Sequence, residues 1–167
     1  IRTFGRTRAY VKIEDGCENH CAYCIIPKAR GPVCSKKPED VLREVQELAQ
    51  AGYKEIVLTG IETASYGRDL PHTDLADIIL QVDQIPGIER IRLGSLDPSL
   101  LRPSFVDRIQ SAGHLCSHFH LSLQSGCDQT LRRMRRKYNT RQAAENIAYL
   151  KQKMPDLCLS ADVIVGF

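Results

Sequence analysis

The fold is decided by the stretch Tyr10-Val11-Lys12-Ile13-Glu14-Asp15-Gly16-Cys17-Glu18-Asn19-His20-Cys21-Ala22-Tyr23-Cys24. Its first part, residues 10–13, is apolar and β-branched and predicts a β-strand. Directly beyond that strand, a loop that opens near Gly16 carries three cysteines at CxxxCxxC spacing. Because ligands of α/β proteins gather at the carboxyl ends of parallel strands, this loop is a candidate functional site.

The rest of the chain alternates short apolar runs with longer amphipathic ones. Further strands are predicted at residues 55–59, 90–94, 118–123 and 157–165. Helices are predicted at residues 38–51, after a cap at Thr73 or Asp74, at 100–111 and at 140–153, the last with Ala144, Ile147, Ala148 and Leu150 facing inward. Strands that alternate with helices form a mainly parallel sheet, since each helix supplies the crossover connection.

Two architectures fit this alternation: an open doubly wound sheet and part of a β/α barrel. A doubly wound nucleotide fold usually has a Gly-x-Gly-x-x-Gly turn after its first strand, and that turn is absent from this sequence. In both architectures the loops that follow the strands form the site. Those loops start near Gly16, Gly60, Ser95, Gln124 and Gly166.

Composition predicts an ordinary globular protein of 167 residues, 43% hydrophobic and 26% charged. No apolar run reaches the roughly 18 residues that would span a bilayer. The seven cysteines are odd in number and follow no signal peptide, so the sequence favours a reducing cytoplasm over a disulfide framework. The chain starts at Ile1 and stops on an apolar run, so we expect a piece of a longer protein.

Three closely spaced thiolates suit a polymetallic centre, because each can bind a different iron of a cubane and leave the fourth iron open. The alternative is a structural zinc site that adds Cys34 or His20, although no second CxxC or HxxxH motif accompanies it. The remaining cysteines are isolated and are expected to be ordinary buried or loop thiols. They are Cys34, Cys116, Cys127 and Cys158. His118 and His120 alternate along one strand and are expected to have a structural role.

Positive charge is clustered although the net charge is only +3. Clusters that could meet on one phosphate-bearing partner support a second hypothesis, a zinc-stabilised RNA-binding module. The clusters are Arg2, Arg6, Arg8 and Lys12; Lys28, Arg30, Lys36 and Lys37; and Arg132, Arg133, Arg135, Arg136 and Lys137.

Cys17, Cys21 and Cys24, with Tyr23 before the last cysteine and the run 25–31 after it, resemble the radical S-adenosylmethionine (SAM) enzymes, specifically the methylthiotransferases. Further family segments follow in order along essentially the whole chain. They are residues 51–60, 65–67, 120–126, 134–138 and 162–167. The stretch 59–67 most resembles the branch that acts on threonylcarbamoyladenosine in tRNA.

The resemblance implies a fold, two cofactors and a reaction. The fold is an open, partial parallel β/α barrel of five strands alternating with helices. A [4Fe-4S] cluster on Cys17, Cys21 and Cys24 would cleave SAM and release a deoxyadenosyl radical. The expected partners are a tRNA substrate and an electron donor such as flavodoxin or ferredoxin, in the cytoplasm and without a membrane.

The resemblance also implies which residues contact SAM. Gly60 and Glu62 follow the second strand and would meet its methionyl amine. The other implied contacts are Ser95 after the third strand, Gln124 and Ser125 after the fourth, Arg136 as a clamp for a carboxylate, and Ile164, Val165 and Gly166 beside the adenine.

By the same resemblance, residues 1–167 form a radical SAM core. The amino-terminal domain with a second cluster, the closing strand and the carboxy-terminal RNA-binding domain of full-length members are missing from it. The final strand is therefore expected to have an uncovered edge. A methylthiotransferase that modifies a ribosomal protein shares this core and is the third hypothesis.

Overall fold

The computed structural model describes residues 7–167, so Arg2 and Arg6 of the first basic cluster lie outside the described residues. The strands are β1 (Arg8–Lys12), β2 (Glu14–Asp15), β3 (Cys34–Ser35), β4 (Glu55–Thr59), β5 (Arg90–Leu93), β6 (His118–Gln124) and β7 (Cys158–Val163). The α-helices are α1 (Ile26–Arg30), α2 (Pro38–Gln50), α3 (Leu75–Asp83), α4 (Pro103–Ile109), α5 (Asp128–Arg133) and α6 (Thr140–Lys153). Single 3-10 turns lie at Thr63–Ser65 and Pro98–Leu100.

The five predicted strands lie side by side in the order of the chain. β1, β4 and β5 form a parallel sheet in that order, and β6 pairs in parallel with β7. Isolated bridges from Ile91 to Leu115 and from Leu96 to Leu121 connect β5 to the β6 region. In a doubly wound sheet the spatial order of the strands reverses, so that later strands are added on the other side of the first strand. Strands that follow one another in space in the same order as in the chain form the wall of a barrel. The open, partial barrel is therefore confirmed.

Helices α2, α3 and α4 cover the outer face of this wall. Their apolar stripes supply Val41, Val45, Ile78, Ile79 and Val106, all fully buried in the same core as β1, β4 and β5. Helix α3 begins at a reciprocal capping box in which Asp74 and Asp77 each accept the other's backbone N–H. The cap fixes where the helix starts, as the sequence predicts.

Helix α6 has the predicted length, but its inward face is rotated from the predicted one. Ala143 and Leu150 are buried, Ile147 is half-buried, and Ala144 and Ala148 are exposed. Residues 143, 147 and 150 follow the i, i+4, i+7 spacing of one stripe, and the two exposed alanines lie on the next. The prediction of an inward Ala144 and Ala148 was wrong because alanines fit either stripe.

The sequence did not predict the shortest elements. β2 and β3 form a two-residue antiparallel ladder, Glu14 with Ser35 and Asp15 with Cys34, that brackets the cysteine loop. Helices α1 and α5 are also short, and the predicted helix 100–111 is shortened to α4, which follows a 3-10 turn that ends at Leu100. Elements this short carry too few residues for a periodic signal.

The last strand has an open edge. β7 pairs with β6 on one side, and within residues 7–167 no strand pairs with its other side. Four of its six residues are exposed. In the same described part of the chain, no helix combines the length and apolarity that crossing a membrane requires.

Candidate active site at the carboxyl ends of the strands

The cysteine loop leaves the sheet through a turn that only glycine can make. Gly16 has φ +80°, and a Cβ on it would lie 1.9 Å from the carbonyl oxygen of Pro32. The next residue, Cys17, donates its backbone N–H to the carbonyl of Gly31 at 3.1 Å. These contacts join the start of the loop to its end.

The thiols of Cys17, Cys21 and Cys24 are all free, the first buried and the other two half-buried. Burial raises the pKa of Cys17, although the backbone N–H of Asn19 donates to its Sγ at 3.4 Å and acts in the opposite direction. Cys21 and Cys24 line a cavity of about 360 Å³, together with Arg135. Among the described residues no three His, Cys, Asp or Glu side chains are grouped to hold one metal ion.

A buried ion pair lies beside these thiols. Arg136 donates through Nη2 to Asp97 at 2.5 Å and to the carbonyl of Ser122 at 3.1 Å, and through Nη1 to the Sγ of Cys21 at 3.4 Å. Its guanidinium carbon lies 5.2 Å from the centre of the Tyr138 ring. Despite its burial, the pKa of Arg136 is raised, because Asp97 stabilises the cation. The clamp predicted for a carboxylate thus holds a carboxylate of the protein itself.

Glu62 and Glu14 add negative charge beneath the loop that follows β4. Glu14 is almost fully buried, and its Oε2 accepts the backbone N–H of Glu62 at 2.9 Å. A Cβ at Gly60 would lie 2.6 Å from the same Oε2, so a larger residue there would displace the Glu14 carboxylate. Glu62 accepts from the side chain of Asn19 at 3.0 Å. Burial, with repulsion from Asp97, raises the pKa of Glu62 to about 7.

The other residues predicted to contact SAM also lie at the carboxyl ends of the strands, which form the rim of the site, but their surroundings differ. The backbone carbonyl of Ser95 accepts from Thr63 at 3.2 Å, while its side chain is exposed. Gln124 ends β6 at φ +62°, a left-handed conformation that is uncommon for a residue with a side chain. Ser125 is buried, and its hydroxyl accepts the backbone N–H of Cys127 at 3.2 Å, so it stabilises its own turn.

Residues after β7 return to the cysteine loop. The backbone N–H of Ile164 donates to the carbonyl of Gln124 at 2.9 Å, and Val165 is 88% exposed. After Gly166, which has a positive φ, the rings of Phe167 and Tyr23 form a T-shaped pair with their centroids 6.1 Å apart. The segment predicted to flank an adenine is thus open to solvent and adjacent to the thiol loop.

Sequence reasoning missed Glu14 and Asp97. Glu14 directly follows the predicted strand at residues 10–13, and Asp97 follows the predicted strand at residues 90–94. An acidic side chain at the carboxyl end of a parallel strand was the available signal. Glu14 Oε1 and Arg136 Nε are buried and have no hydrogen-bond partner among the described residues.

The comparisons with known proteins identify the family. The sequence model of the radical SAM superfamily matches residues 11–167. This chain belongs to the radical SAM superfamily. Members of this superfamily use a [4Fe-4S] cluster and SAM, and the first prediction of family and cofactors is therefore confirmed.

The chain is also similar to curated proteins whose names are more specific than that of the superfamily. It is 42% identical over 163 residues to the threonylcarbamoyladenosine tRNA methylthiotransferase MtaB of Bacillus subtilis, covering 97% of this chain and 36% of the relative. It is 40% identical over 164 residues to the tRNA-2-methylthio-N(6)-dimethylallyladenosine synthase of Desulfitobacterium hafniense, covering 98% and 37%. The chain thus spans a little over a third of the length of these relatives.

Solved structures agree on the radical SAM fold. The methyltransferase TsrM of Kitasatospora setae, solved with cobalamin and a [4Fe-4S] cluster, superposes with a TM-score of 0.71 at 17% identity, covering 93% of this chain and 30% of that one. Methylornithine synthase (PylB) gives a TM-score of 0.62 at 16% identity, covering 95% and 44%. At such identities the likeness concerns the fold alone.

The residues present fit the cofactors of a radical SAM protein. Free thiols at three positions offer soft ligands for iron, and ligands to separate irons of a cubane are spread more widely than ligands to one ion. The carboxyl groups of Glu14, Glu62 and Asp97 lie near Arg136, and a ligand with a cationic amine and sulfonium would favour the ionised form of Glu62, whose pKa is raised to about 7 by burial. The unpaired Glu14 Oε1 and Arg136 Nε offer one acceptor and one donor.

The other cysteines lie away from this arrangement. Cys34, Cys127 and Cys158 are exposed and Cys116 is half-buried, so of the expected buried or loop thiols none is buried and Cys127 lies in a loop. The three exposed thiols lie on the short β3, in the loop before α5 and on the open strand β7, none of which another layer covers. His118 and His120 each approach the hydroxyl of Ser160, at 3.1 and 2.9 Å, and so connect β6 to β7.

Proposed function

We propose that this chain is the SAM-cleaving core of a tRNA methylthiotransferase that acts on threonylcarbamoyladenosine beside the anticodon. The main support is that three free thiols lie in one loop. The middle one, Cys21, contacts Arg136 of the buried Asp97–Arg136 pair. Residues 1–167 correspond to the radical SAM core in this proposal.

Cys17, Cys21 and Cys24 hold the cluster. A bound [4Fe-4S] cluster would supply the one electron for cleavage of a carbon–sulfur bond of SAM into methionine and a deoxyadenosyl radical. The chain positions this chemistry rigidly, because Gly16 fixes where the loop begins and the N–H of Ala22 donates to the carbonyl of Met134 at 3.0 Å. Rigid placement matters because a reactive radical must form within reach of its target.

The loops after β4 and β5 bind the charged end of SAM. Glu62 and the backbone at Gly60 accept the methionyl amine, supported from below by Glu14, which holds the N–H of Glu62. Ser95 lies exposed on the same rim. Arg136, already neutralised by Asp97, keeps its Nε as a donor for the cofactor.

The loops after β6 and β7 bind the adenosine end. Gln124 and Ser125 contact the sugar, and Ile164, Val165 and Gly166 lie along the adenine. This assignment is supported by the hydrogen bond that joins Ile164 to Gln124 and by the exposure of Val165. A flat ring would cover apolar surface that is now open to water.

The substrate is assigned from the relatives. Two curated relatives at 40–42% identity carry the names of tRNA-modifying enzymes, and the first is a threonylcarbamoyladenosine tRNA methylthiotransferase. These names favour a tRNA base over a ribosomal protein, and the superfamily match favours iron over a zinc-stabilised RNA-binding module. An electron donor such as flavodoxin or ferredoxin, in the cytoplasm, completes the proposal.

Iron uptake tests this proposal. After anaerobic reconstitution we expect about four irons per chain and sulfide in equal amount, as one cubane requires. Cys24→Ala should lose most of the iron, whereas Cys34→Ala should retain it, because Cys34 is an exposed thiol on β3. A single tightly held zinc in place of iron, lost on substitution of Cys34, would reject the proposal in favour of the zinc site.

A further inference from the structure

A polar groove with three basic side chains lies outside the site described so far. Arg68, Arg102 and Lys137 line a cavity of about 380 Å³. They come from three separate loops, which follow the first 3-10 turn, precede α4 and follow α5. The remaining lining residues are Ser99, Tyr138, Gln142, Glu145 and Asn146.

The three cations of this groove are unpaired. All are exposed, and in the described part of the chain none of them takes part in a side-chain hydrogen bond or ion pair. Other exposed cations of this structure do have partners, as Arg43 has Asp40. Three unpaired cations facing one cavity repel each other, so the groove is arranged for an anion.

The one carboxylate in the groove does little to neutralise it. Oε1 of Glu145 lies 3.8 Å from Nε of Arg141, a residue that does not line the groove. Both side chains are largely exposed. Three cations and one carboxylate give the groove a net charge of about +2. The net charge is higher when Arg141 neutralises Glu145. That charge is available to a ligand from solvent.

The groove adjoins the candidate active site. Tyr138 lines it and lies under the guanidinium of Arg136, while its hydroxyl donates to the carbonyl of Leu123 at 2.5 Å, with the carbonyl of Ser122 at 3.2 Å. Ser99 also lines it, and its backbone N–H donates to Asp97 at 2.8 Å. Two wall residues of the groove thus touch the buried ion pair, and a polymer bound in the groove would reach the site next to it.

We propose that Arg68, Arg102 and Lys137 bind the phosphodiester backbone of the RNA substrate beside the base that is modified. This inference rests on the proposed function and adds the surface through which this core holds RNA. Arginine forks and lysine ammonium groups are the usual partners of phosphate oxygens, and phosphate contacts fix register without reading sequence. An acidic protein is disfavoured, because protein interfaces have an apolar centre and this groove contains only Tyr138 as a large apolar side chain.

The test is RNA binding as a function of salt. An RNA anticodon stem-loop is titrated with the anaerobically reconstituted chain, without SAM, for the parent and for R68Q/R102Q/K137Q. Removing three phosphate contacts should reduce the slope of log K against log salt by about two to three, and affinity at about 50 mM salt should fall tenfold or more. The matched control K37Q/R132Q/K151Q removes the same charge from exposed sites outside the groove and should change the slope much less.

Several results would overturn the proposal. These are equal losses in both triple variants, unchanged binding in the groove variant, or no measurable RNA binding by the parent at low salt. Displacement of the RNA by poly-glutamate but not by a second RNA would also overturn it, since it would assign the groove to an acidic protein. Thermal unfolding monitors that both variants are folded. Because RNA binding is measured without SAM, a failure of the radical chemistry leaves this result readable.

Discussion

At the scale of single residues, the pair Asp97 and Arg136 organises the site. Side-chain exposure is 6% for Arg136 and 9% for Asp97, and the distance between them is 2.5 Å. The arginine connects this pair to Cys21 on one side and to Tyr138 on the other. Asp97 therefore acts as a positioning residue for a cation that touches a proposed cluster ligand.

Removing one partner of this pair should be costly. Asp97→Asn leaves the Arg136 cation buried without a counter-charge, and we expect a loss of about 3–5 kcal/mol in the free energy of unfolding. Urea unfolding of the chain without cofactors measures it. Asp107→Asn, which alters an exposed carboxylate paired with Lys153 and Tyr149, should leave the free energy of unfolding close to that of the parent. Equal losses in the two variants would contradict a special role for Asp97.

The sequence predicted the residues of this site unevenly. The three cysteines could be named because their spacing is itself the signal of a shared metal centre. Glu14 and Asp97 were missed: their position after a strand was a signal, but a single carboxylate in a sequence carries no sign of its burial. Their importance comes from packing, Glu14 beneath Gly60 and Asp97 against Arg136.

At the scale of elements, one carboxylate joins the amino ends of three strands. Glu55 at the start of β4 pairs with Arg8 of β1 at 3.4 Å and with Arg90 and Arg92 of β5 at 3.0 and 2.9 Å. Burial alone would raise the pKa of Glu55, but the hydrogen bonds from Arg92 and Arg90 outweigh it and the pKa is lowered. This cluster lies at the end of the sheet opposite the candidate site.

The lowered pKa of Glu55 predicts how stability depends on pH. Since the folded pKa lies below the unfolded value of 4.5, the unfolded chain binds the proton more readily. The stabilisation by Glu55 is thus present above pH 4.5 and is lost as pH falls through the folded pKa.

Glu55→Gln should therefore cost about 1–2 kcal/mol at neutral pH, a modest value because the arginines are partly screened by water. The difference from the parent should vanish in acid. Urea unfolding at a series of pH values measures it, with Glu145→Gln as an exposed control. A difference that persists unchanged below the folded pKa would contradict the ionic account.

Sequence patterns predicted the long elements well and the short ones poorly. The strands and long helices each bury a periodic apolar stripe, and that stripe is visible in the sequence. The ladder of β2 with β3 depends on the turn at Gly16 and on the loop that returns through Pro32. Such a contact is tertiary and leaves no local pattern.

At the scale of the whole molecule, a row of parallel strands brings five loops to one rim. The βα alternation predicted this rim, and the resemblance to the radical SAM enzymes chose the open barrel over the doubly wound sheet. The basic groove could not be predicted, since Arg68, Arg102 and Lys137 are far apart in sequence and meet only in the fold. The three-cluster pattern of positive charge pointed to a different set of residues, of which only Lys137 lines the groove.

The most direct test of the whole account is release of deoxyadenosine from SAM by the reconstituted, chemically reduced chain under anaerobic conditions. We expect release by the parent and by Cys158→Ala, which alters an exposed thiol on β7, and none by Cys21→Ala. Release that is the same in Cys21→Ala, or absent from a parent that holds four irons, would contradict the claim that this loop and rim form a radical-generating site.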